Sequence, residues 1–251
     1  MTPRTIRPVS SEPYKRWNFR KAYWELYRLT TSELALGCGC VDDISLDHFP
    51  LSIPFLLKVD VIDEVIKNIV KELGGHIAED MYDCTHLVTN EIRRNVKFLC
   101  AIVRGLHIVN QQWLYDSKKQ SRFLAELSYE SFNESSTQSI EARYGLTFTN
   151  TMAVARSRSK QLFSGHWIHV TKSVLPPPQE MYQIIECGGG VCVWKMPKGL
   201  DLHDLVIVAS EVDKKCCSSA LKASVPVNRE FILTGILKQK LDFRSCSGAS
   251  S

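Results

Sequence analysis

The fold is decided by residues 56–75, LLKVDVIDEVIKNIVKELGG. The segment 56–62 is mostly apolar, which is typical of a buried strand. Asp63 is a suitable N-cap for a helix. The apolar residues after it lie at the spacing of one helix face: Ile66, Ile69, Val70 and Leu73. Gly74-Gly75 then ends the helix. This stretch therefore predicts a strand followed by an amphipathic helix.

Strand and helix patterns continue to alternate beyond this stretch. Three further apolar segments are predicted as strands: 76–78, 85–89 and 106–109. A second helical stripe ends at Gly105 and consists of Val96, Leu99, Cys100 and Val103. A third helix carries Trp113. The order β-α-β-β-α-β-α with short loops predicts a parallel sheet flanked by helices.

The same order of elements returns in the second half of the chain. Four apolar segments are predicted as strands: 167–170, 191–194, 205–209 and 224–227. Pro176-Pro177-Pro178 opens a helix, Gly188-Gly189-Gly190 ends it, and a closing helix is predicted over 228–239. Two similar units of about 100 residues predict an α/β protein built from a tandem repeat.

The repeat divides the chain into five segments. They are an N-terminal arm over 1–55, a first domain over 56–117, a linker over 118–160 with a helix near 147–159, a second domain over 161–243 and a tail over 244–251. The arm has no sustained hydrophobic period and is expected to be poorly ordered or divergent. We hypothesise that the chain before about Val61 is a divergent or alternative start joined to the first domain.

Composition places the chain among ordinary globular proteins. Of 251 residues, 44% are apolar and 23% charged, and the formal charge is 31 − 27 = +4. So small an excess does not by itself indicate nucleic-acid binding. No apolar run approaches the roughly 18 residues that a membrane helix needs, which excludes a membrane-spanning class.

The spacing of the cysteines and the missing catalytic motifs indicate neither a metal site nor an enzyme. The nine cysteines are odd in number and scattered, which favours reduced thiols in a cytosolic or nuclear protein. No two pairs stand at zinc-ligand spacing. The hydrolase, phosphate-loop and metalloprotease motifs are missing from the sequence. We therefore expect no metal, no cofactor and no enzymatic activity.

Several short motifs resemble the BRCT domain family. In the first unit these are Gly74-Gly75, the segment 85–88, the segment 92–100 and Trp113. In the second unit they are the three prolines followed by Ile184-Ile185 and glycines, and then the segment 230–235. The resemblance covers about 57–243 and implies two tandem BRCT domains, each a four-stranded parallel sheet flanked by helices.

The resemblance also implies a function. Tandem BRCT pairs read phosphorylated peptides, typically the phosphoserine tail of the histone variant that marks DNA breaks. A member would be a non-enzymatic adaptor of the DNA-damage response. It would be nuclear and chromatin-associated, with phosphorylated protein tails and other DNA-damage-response proteins as partners.

The family's site positions fall on identifiable residues of this chain. Lys97 matches the lysine that holds the phosphate, and Arg94 matches the arginine that receives the third residue of the peptide and its terminal carboxylate. The second domain contributes four further matches to the peptide-binding wall: Pro176, Glu180, Glu230 and Thr234. Glu180 stands where an amide is expected, which would weaken binding of an acidic tail.

The charges of Arg94 and Lys97 suit a phosphate. A phosphoserine carries about −1.5 to −2 charge and three acceptor oxygens. At helical spacing Arg94 and Lys97 would share one face, away from the apolar stripe. The alternative is an ordinary solvated helix surface formed by Arg93, Arg94, Lys97 and Arg104.

One position departs from the family. Val59-Asp60 stands where the family has Ser or Thr followed by Gly, so a hydroxyl is missing and a carboxylate is added. Losing one hydrogen bond to a charged phosphate costs about 1.5–3 kcal/mol, or about tenfold or more in affinity. The alternative function is therefore a phosphate-independent interaction scaffold with a degenerate pocket. A third possibility, direct binding of DNA ends, is disfavoured by the small net charge.

Overall fold

The computed structural model describes residues 56–59, 64–132, 134–195, 205–214 and 226–243. All of them lie within one compact unit, Ile53–Ser251. The predicted arm 1–55, the tail 244–251, Asp60 and the predicted cap Asp63 lie outside the described residues.

The first domain is a parallel sheet with helices, as the sequence predicts. Its strands are β1 (Leu56–Val59), β2 (His76–Ile77), β3 (His86–Val88) and β4 (His107–Val109). Its helices are α1 (Glu64–Glu72), α2 (Val96–Arg104) and α3 (Gln112–Lys119). The strand order is β2-β1-β3-β4, and every pairing is parallel.

Local sequence explains where these helices begin and end. α1 buries Ile66, Ile69 and Val70, three members of the predicted stripe. α2 begins after Asn95, whose side-chain oxygen accepts a 2.9 Å hydrogen bond from the N–H of Phe98. It ends at Gly105, which has φ +68° and so adopts a conformation that glycine tolerates best.

The linker contains more helix than the sequence predicts. A short 3₁₀ turn over Leu127–Tyr129 is followed by α4 (Glu134–Tyr144) and α5 (Phe148–Ser157). α5 falls within the predicted helical segment and buries Phe148, Thr151, Met152 and Ala155. α4 buries none of its described side chains, so it has no apolar stripe by which periodicity could have found it.

The second domain repeats the parallel order of the first three strands of the first domain. Its strands are β5 (Trp167–Val170), β6 (Val191–Cys192) and β7 (Leu205–Val208), and its helices are α6 (Pro178–Cys187) and α7 (Glu230–Lys238). The strand order is β6-β5-β7, again parallel. Within the described residues the expected fourth strand is reduced to one parallel bridge between Val208 and Val227, and residues 224 and 225 lie outside them.

Helix α2 joins the two domains. It packs against α5, α6 and α7 as well as against its own sheet. Every residue from Phe98 to Val103 is buried, which is the pattern of a helix covered on all sides. The fit is tight: a Cβ added to Gly188, just after α6, would lie 2.8 Å from Cγ2 of Val103. The domain junction is therefore a packed core.

Among the described helices none is long and apolar enough to cross a membrane. The four described cysteines, Cys84, Cys100, Cys187 and Cys192, are free thiols.

A buried histidine lies in the core of the first domain. His86 is 1% exposed, stacks on Trp113 with ring centroids 5.0 Å apart, and has Nε2 3.2 Å from Oε1 of Glu126. The ring of His107 lies 5.3 Å away. Burial outweighs the nearby carboxylate and holds the pKa of His86 below its usual value.

The protein is therefore expected to lose stability on mild acidification. Below about pH 6.5 the unfolded chain protonates His86 while the folded protein resists it, so the free energy of unfolding falls as the pH drops. Between pH 7.5 and 5.5 the loss should reach up to about 1.4 kcal/mol. Urea unfolding of wild type and His86→Gln at both pH values measures it, with exposed His76→Gln as control. An unchanged pH difference in His86→Gln would contradict this assignment.

Candidate functional site

Each sheet has one crevice at which a ligand is expected. In the first domain the chain leaves β1 towards β2 on one side and reaches β3 on the other, so the strand order reverses between β1 and β3. In the second domain the same reversal lies between β5 and β7. Ligands of open α/β sheets bind outside the carboxyl ends of the strands at such a switch point.

In the second domain a carboxylate lies beside the carboxyl ends of β5 and β7. Asp213, which follows β7, accepts hydrogen bonds from the N–H and the hydroxyl of Ser173, which follows β5, at 2.8 and 2.9 Å. The hydroxyl of Thr171 beside it and the N–H of Ser173 hold the pKa of Asp213 at about 2. A permanently charged carboxylate at this point disfavours a second anion, which leaves the first domain as the candidate.

The crevice of the first domain lies at the start of α2. β1 and β3 end at the same level of the sheet, with Val59 paired with Val88. The segment that follows β3 leads from these carboxyl ends into α2. Lys97 is the second residue of α2 and is half-buried. An ammonium at a helix N-terminus, where backbone N–H groups also point outward, forms an environment suited to an anion.

The structure changes the interpretation of position 59. The side chain of Val59 is 1% exposed and belongs to the core cluster that contains Leu57 and Trp113. Its side chain is therefore unavailable to a ligand, and only its backbone faces the end of the strand. Asp60, the other half of the predicted departure, lies outside the described residues, so its role stays a prediction.

The predicted helix-face pairing of Arg94 and Lys97 is wrong in one respect. α2 begins at Val96 with Asn95 as its N-cap, so Arg94 precedes the helix. The side chain of Arg94 runs to the second domain, where Nη2 donates a 2.7 Å hydrogen bond to Oε1 of Glu230, the first residue of α7. The position of Arg94 before the helix, next to its N-cap, lets the side chain reach across the domain junction.

Glu230 is the centre of a small polar network. Its Oε2 accepts a 2.7 Å hydrogen bond from the hydroxyl of Thr234, one turn further along α7. Nη1 of Arg94 donates to the hydroxyl of Tyr144, and the Arg94 guanidinium lies 5.5 Å from the centre of that ring. Three of the predicted residues, Arg94, Glu230 and Thr234, are thus brought together.

Both charges of the pair are maintained at neutral pH. Burial alone would raise the pKa of Glu230, but the hydrogen bonds from Arg94 and Thr234 hold it below its usual value. Burial alone would lower the pKa of Arg94, but Glu230 and Tyr144 raise it above its usual value. The side chains are 21% exposed for Arg94 and 40% for Glu230, so the pair is reachable from solvent.

The two remaining predicted residues, Pro176 and Glu180, belong to the second domain. Pro176 follows a cis peptide bond after Leu175 and is half-buried. The carbonyl of Leu175 accepts a 3.2 Å hydrogen bond from Arg229, the residue before Glu230, which connects this loop to the network. Glu180 is exposed in the first turn of α6 and, among the described contacts, takes no part in the network.

Sequence reasoning missed Tyr144 and Arg229. Tyr144 ends α4, 50 residues after Arg94, and α4 itself was not anticipated. Arg229 directly precedes the predicted Glu230, so adjacency to a matched position was the one signal that could have pointed to it.

Removing Arg94 is expected to weaken the domain junction. Arg94→Gln removes the 2.7 Å ion pair of the partly buried Glu230 and leaves it only the longer contact with Arg229 at 3.5 Å. We expect the free energy of unfolding to fall by about 1–2 kcal/mol, between the values for exposed and buried pairs. Arg93→Gln is a matched control, because Arg93 is 70% exposed and pairs with Glu91. Equal losses in the two variants, measured by chemical denaturation, would show that the ion pair does not stabilise the junction.

Comparison with known families agrees with this architecture. Residues 56–131 match the model described as "Regulator of Ty1 transposition protein 107 BRCT domain", and residues 161–244 match the model described as "BRCT domain". The chain belongs to the BRCT family. The resemblance predicted from the sequence is confirmed, and so is the tandem BRCT fold.

The BRCT pair is similar to parts of two longer curated proteins. Mediator of DNA damage checkpoint protein 1 of rat is 37% identical over 188 residues, which are 74% of this chain and 14% of that protein. The human protein is also 37% identical over 188 residues, or 9% of its length. PAX-interacting protein 1 of cattle is 30% identical over 205 residues, covering 76% of this chain and 20% of that protein. The chain thus spans a fifth or less of these relatives.

Two solved structures resemble the BRCT pair in fold. The BRCT5-BRCT6 domains of Brc1 from S. pombe have a TM-score of 0.61 at 21% identity, over 75% of this chain and 94% of that one. Rtt107p in complex with a phosphorylated histone has a TM-score of 0.51 at 14% identity, over 75% and 89%. At these identities the likeness shows the fold.

Proposed function

We propose that this chain is a non-enzymatic adaptor of the DNA-damage response that binds a phosphorylated protein tail in the cleft between its two BRCT domains. The observation that carries the proposal is the ion pair between Arg94 of the first domain and Glu230 of the second, next to Lys97 at the start of α2. In this proposal both cations of the first domain would line a seam where both domains can contact one peptide.

The charge and spacing suit a phosphoserine peptide. Lys97 supplies an ammonium for the phosphate, and Arg94 lies at the junction, where the residues after the phosphoserine would run. The relatives support the same class of ligand, since one is named for the DNA damage checkpoint and Rtt107p was solved with a phosphorylated histone. A nuclear, chromatin-associated location and a phosphorylated histone tail as partner follow from this proposal.

A titration tests the proposal. A phosphoserine peptide that ends Ser-Gln-x-Tyr is compared with its unphosphorylated twin by calorimetry or fluorescence polarisation. We expect the phosphorylated peptide to bind at least tenfold more tightly, because one charged hydrogen bond is worth about 1.5–3 kcal/mol. Equal binding of the two peptides would overturn the proposal.

One observation favours a second candidate, a phosphate-independent scaffold. Val59 offers neither a hydroxyl nor an exposed side chain where the family has Ser or Thr. If the missing hydroxyl abolishes phosphate binding, the phosphorylated and unphosphorylated peptides bind equally or not at all. Partners then bind to the linker and the domain junction instead. The same titration separates the two candidates.

A further inference from the structure

The linker helix α4 lies beside the domain junction although it buries none of its described side chains. It runs from Glu134 to Tyr144 and packs next to α7, the helix that begins with Glu230. Without a buried stripe, hydrophobic packing does not account for its place in the fold. Its contact with the candidate site is made by its last residue, Tyr144.

Tyr144 restrains the guanidinium of Arg94 in two ways. Its hydroxyl accepts a hydrogen bond from Nη1 of Arg94, and Cζ of Arg94 lies 5.5 Å from the centre of its ring. The other terminal nitrogen of Arg94, Nη2, donates to Oε1 of Glu230 at 2.7 Å. The guanidinium is therefore held by the linker as well as by the second domain.

The end of α4 is attached to α2 by the turn that follows Tyr144. Gly145 has φ +61°, a left-handed conformation that glycine tolerates best, and follows the last residue of α4. Oε1 of Glu141 accepts a 2.6 Å hydrogen bond from the N–H of Phe148, which is 8% exposed. Phe148 stacks on Phe98 of α2. Tyr144 is thus placed relative to α2 even though α4 itself faces solvent.

An arginine that is already restrained is better prepared to bind a ligand than a free one. A free side chain loses rotamer freedom when it binds, which lowers the affinity. The contacts with Tyr144 and Glu230 restrict the freedom of Arg94 before a ligand arrives. An arginine has five N–H donors, and these two hydrogen bonds use two of them, so the guanidinium can still donate to a ligand.

We infer that Tyr144 is a positioning residue of the peptide-binding cleft, which presents the guanidinium of Arg94 to the ligand in a fixed orientation. This inference rests on the proposed function, because it concerns the same cleft. The linker helix α4 then belongs to the binding site, as a third element beside the two domains. Because Tyr144 acts through Arg94, its effect on binding depends on the presence of Arg94.

A double-mutant cycle tests this dependence. Tyr144→Phe removes the hydroxyl and keeps the ring, whereas Tyr144→Leu removes both. Each substitution is made in wild type and in Arg94→Gln. The phosphoserine peptide that ends Ser-Gln-x-Tyr, and its unphosphorylated twin, are titrated against all of these proteins by fluorescence polarisation. Tyr115→Phe and Tyr115→Leu are the controls, because Tyr115 is a 37% exposed tyrosine on α3, which packs against α1.

Tyr144→Phe is expected to weaken binding of the phosphorylated peptide by about threefold to tenfold, because the hydrogen bond that orients Arg94 is lost. Tyr144→Leu should weaken it further, since the contact between the guanidinium and the ring is lost as well. In the Arg94→Gln background both substitutions should change the affinity by less than about twofold. The two Tyr115 variants should bind as wild type does.

The inference fails if Tyr144→Leu binds the peptide as tightly as wild type or more tightly, since the contact would then have no effect or would compete with the ligand. It also fails if both substitutions weaken binding equally with and without Arg94, which is the result expected of a merely structural role of α4. A loss in Tyr144→Leu alone that depends on Arg94 would keep the inference and assign the positioning to the ring.

The proposed function is judged separately, by the ratio of phosphorylated to unphosphorylated binding in wild type. A loss that depends on Arg94, without a preference for phosphate, would overturn the proposed function and keep the inference. No binding of any peptide would overturn both.

Discussion

Lys97→Met is expected to reduce the affinity for a phosphoserine tail by about tenfold to a hundredfold and to leave the unphosphorylated tail unaffected. Methionine keeps the unbranched stem of the side chain, one atom shorter, but removes the ammonium. One hydrogen bond to a charged group contributes about 1.5–3 kcal/mol. Lys97 is half-buried at the N-terminus of α2, so the phosphate would lose a partly desolvated cation there. Calorimetric titration of both peptides measures the effect.

The control for this variant is Lys71→Met, which removes the same charge from the exposed end of α1. It should retain the preference for the phosphorylated tail to within about twofold, because long-range attraction between exposed charges is screened by salt. Equal losses in the two variants would mean that net charge, not a specific contact, governs binding. An unchanged preference in Lys97→Met would remove Lys97 from the site.

Phe98→Ala is expected to lower the free energy of unfolding by about 3–5 kcal/mol, the usual range for truncating a buried aromatic residue. Phe98 is 2% exposed and stacks on Phe148 with ring centroids 5.6 Å apart. The ring of Phe148 meets that of Phe132 edge-on at 5.6 Å, so three aromatic side chains join α2 to the linker. The cavity would therefore open beside the domain junction. Chemical denaturation followed by tryptophan fluorescence measures the loss.

Leu127→Ala is a suitable control for Phe98→Ala. Leu127 is 78% exposed in the linker, and its truncation should change stability by no more than about 0.5 kcal/mol. A loss below about 1.5 kcal/mol in Phe98→Ala would show that the aromatic cluster is not a rigid part of the junction. Because Phe98 follows Lys97 directly, a large loss should also weaken binding of the phosphorylated tail.

The elements with a clear hydrophobic period were predictable. α1 buries Ile66, Ile69 and Val70 as its stripe requires, and α2 ends where Gly105 follows it. The two site residues on or next to α2 were also found in sequence, through short motifs that resemble the family. The site roles of Lys97 and Arg94 stay predictions until binding is measured.

The elements without such a period were not predictable. α4 has no buried side chain, so nothing in its sequence separates it from a solvated loop. α2 was expected to bury one stripe, but its other face is covered by the second domain, which periodicity within one helix cannot reveal. The sequence assigns Val59 to the phosphate pocket by its position, whereas the burial of its side chain depends on neighbours that come from other strands and helices.

The amino-acid sequence by itself determined two parallel α/β units, the order of their strands and helices, and the cations at the start of the second helix. These follow from apolar spacing and turn residues within about 10 to 20 neighbouring positions. Only the tertiary structure decided that Arg94 meets Glu230, 136 residues further along the chain, and that Asp213 accepts hydrogen bonds from Ser173 across the ends of β5 and β7. Such contacts depend on how separately folded surfaces pack, and that packing is set by the shape and burial of many side chains together.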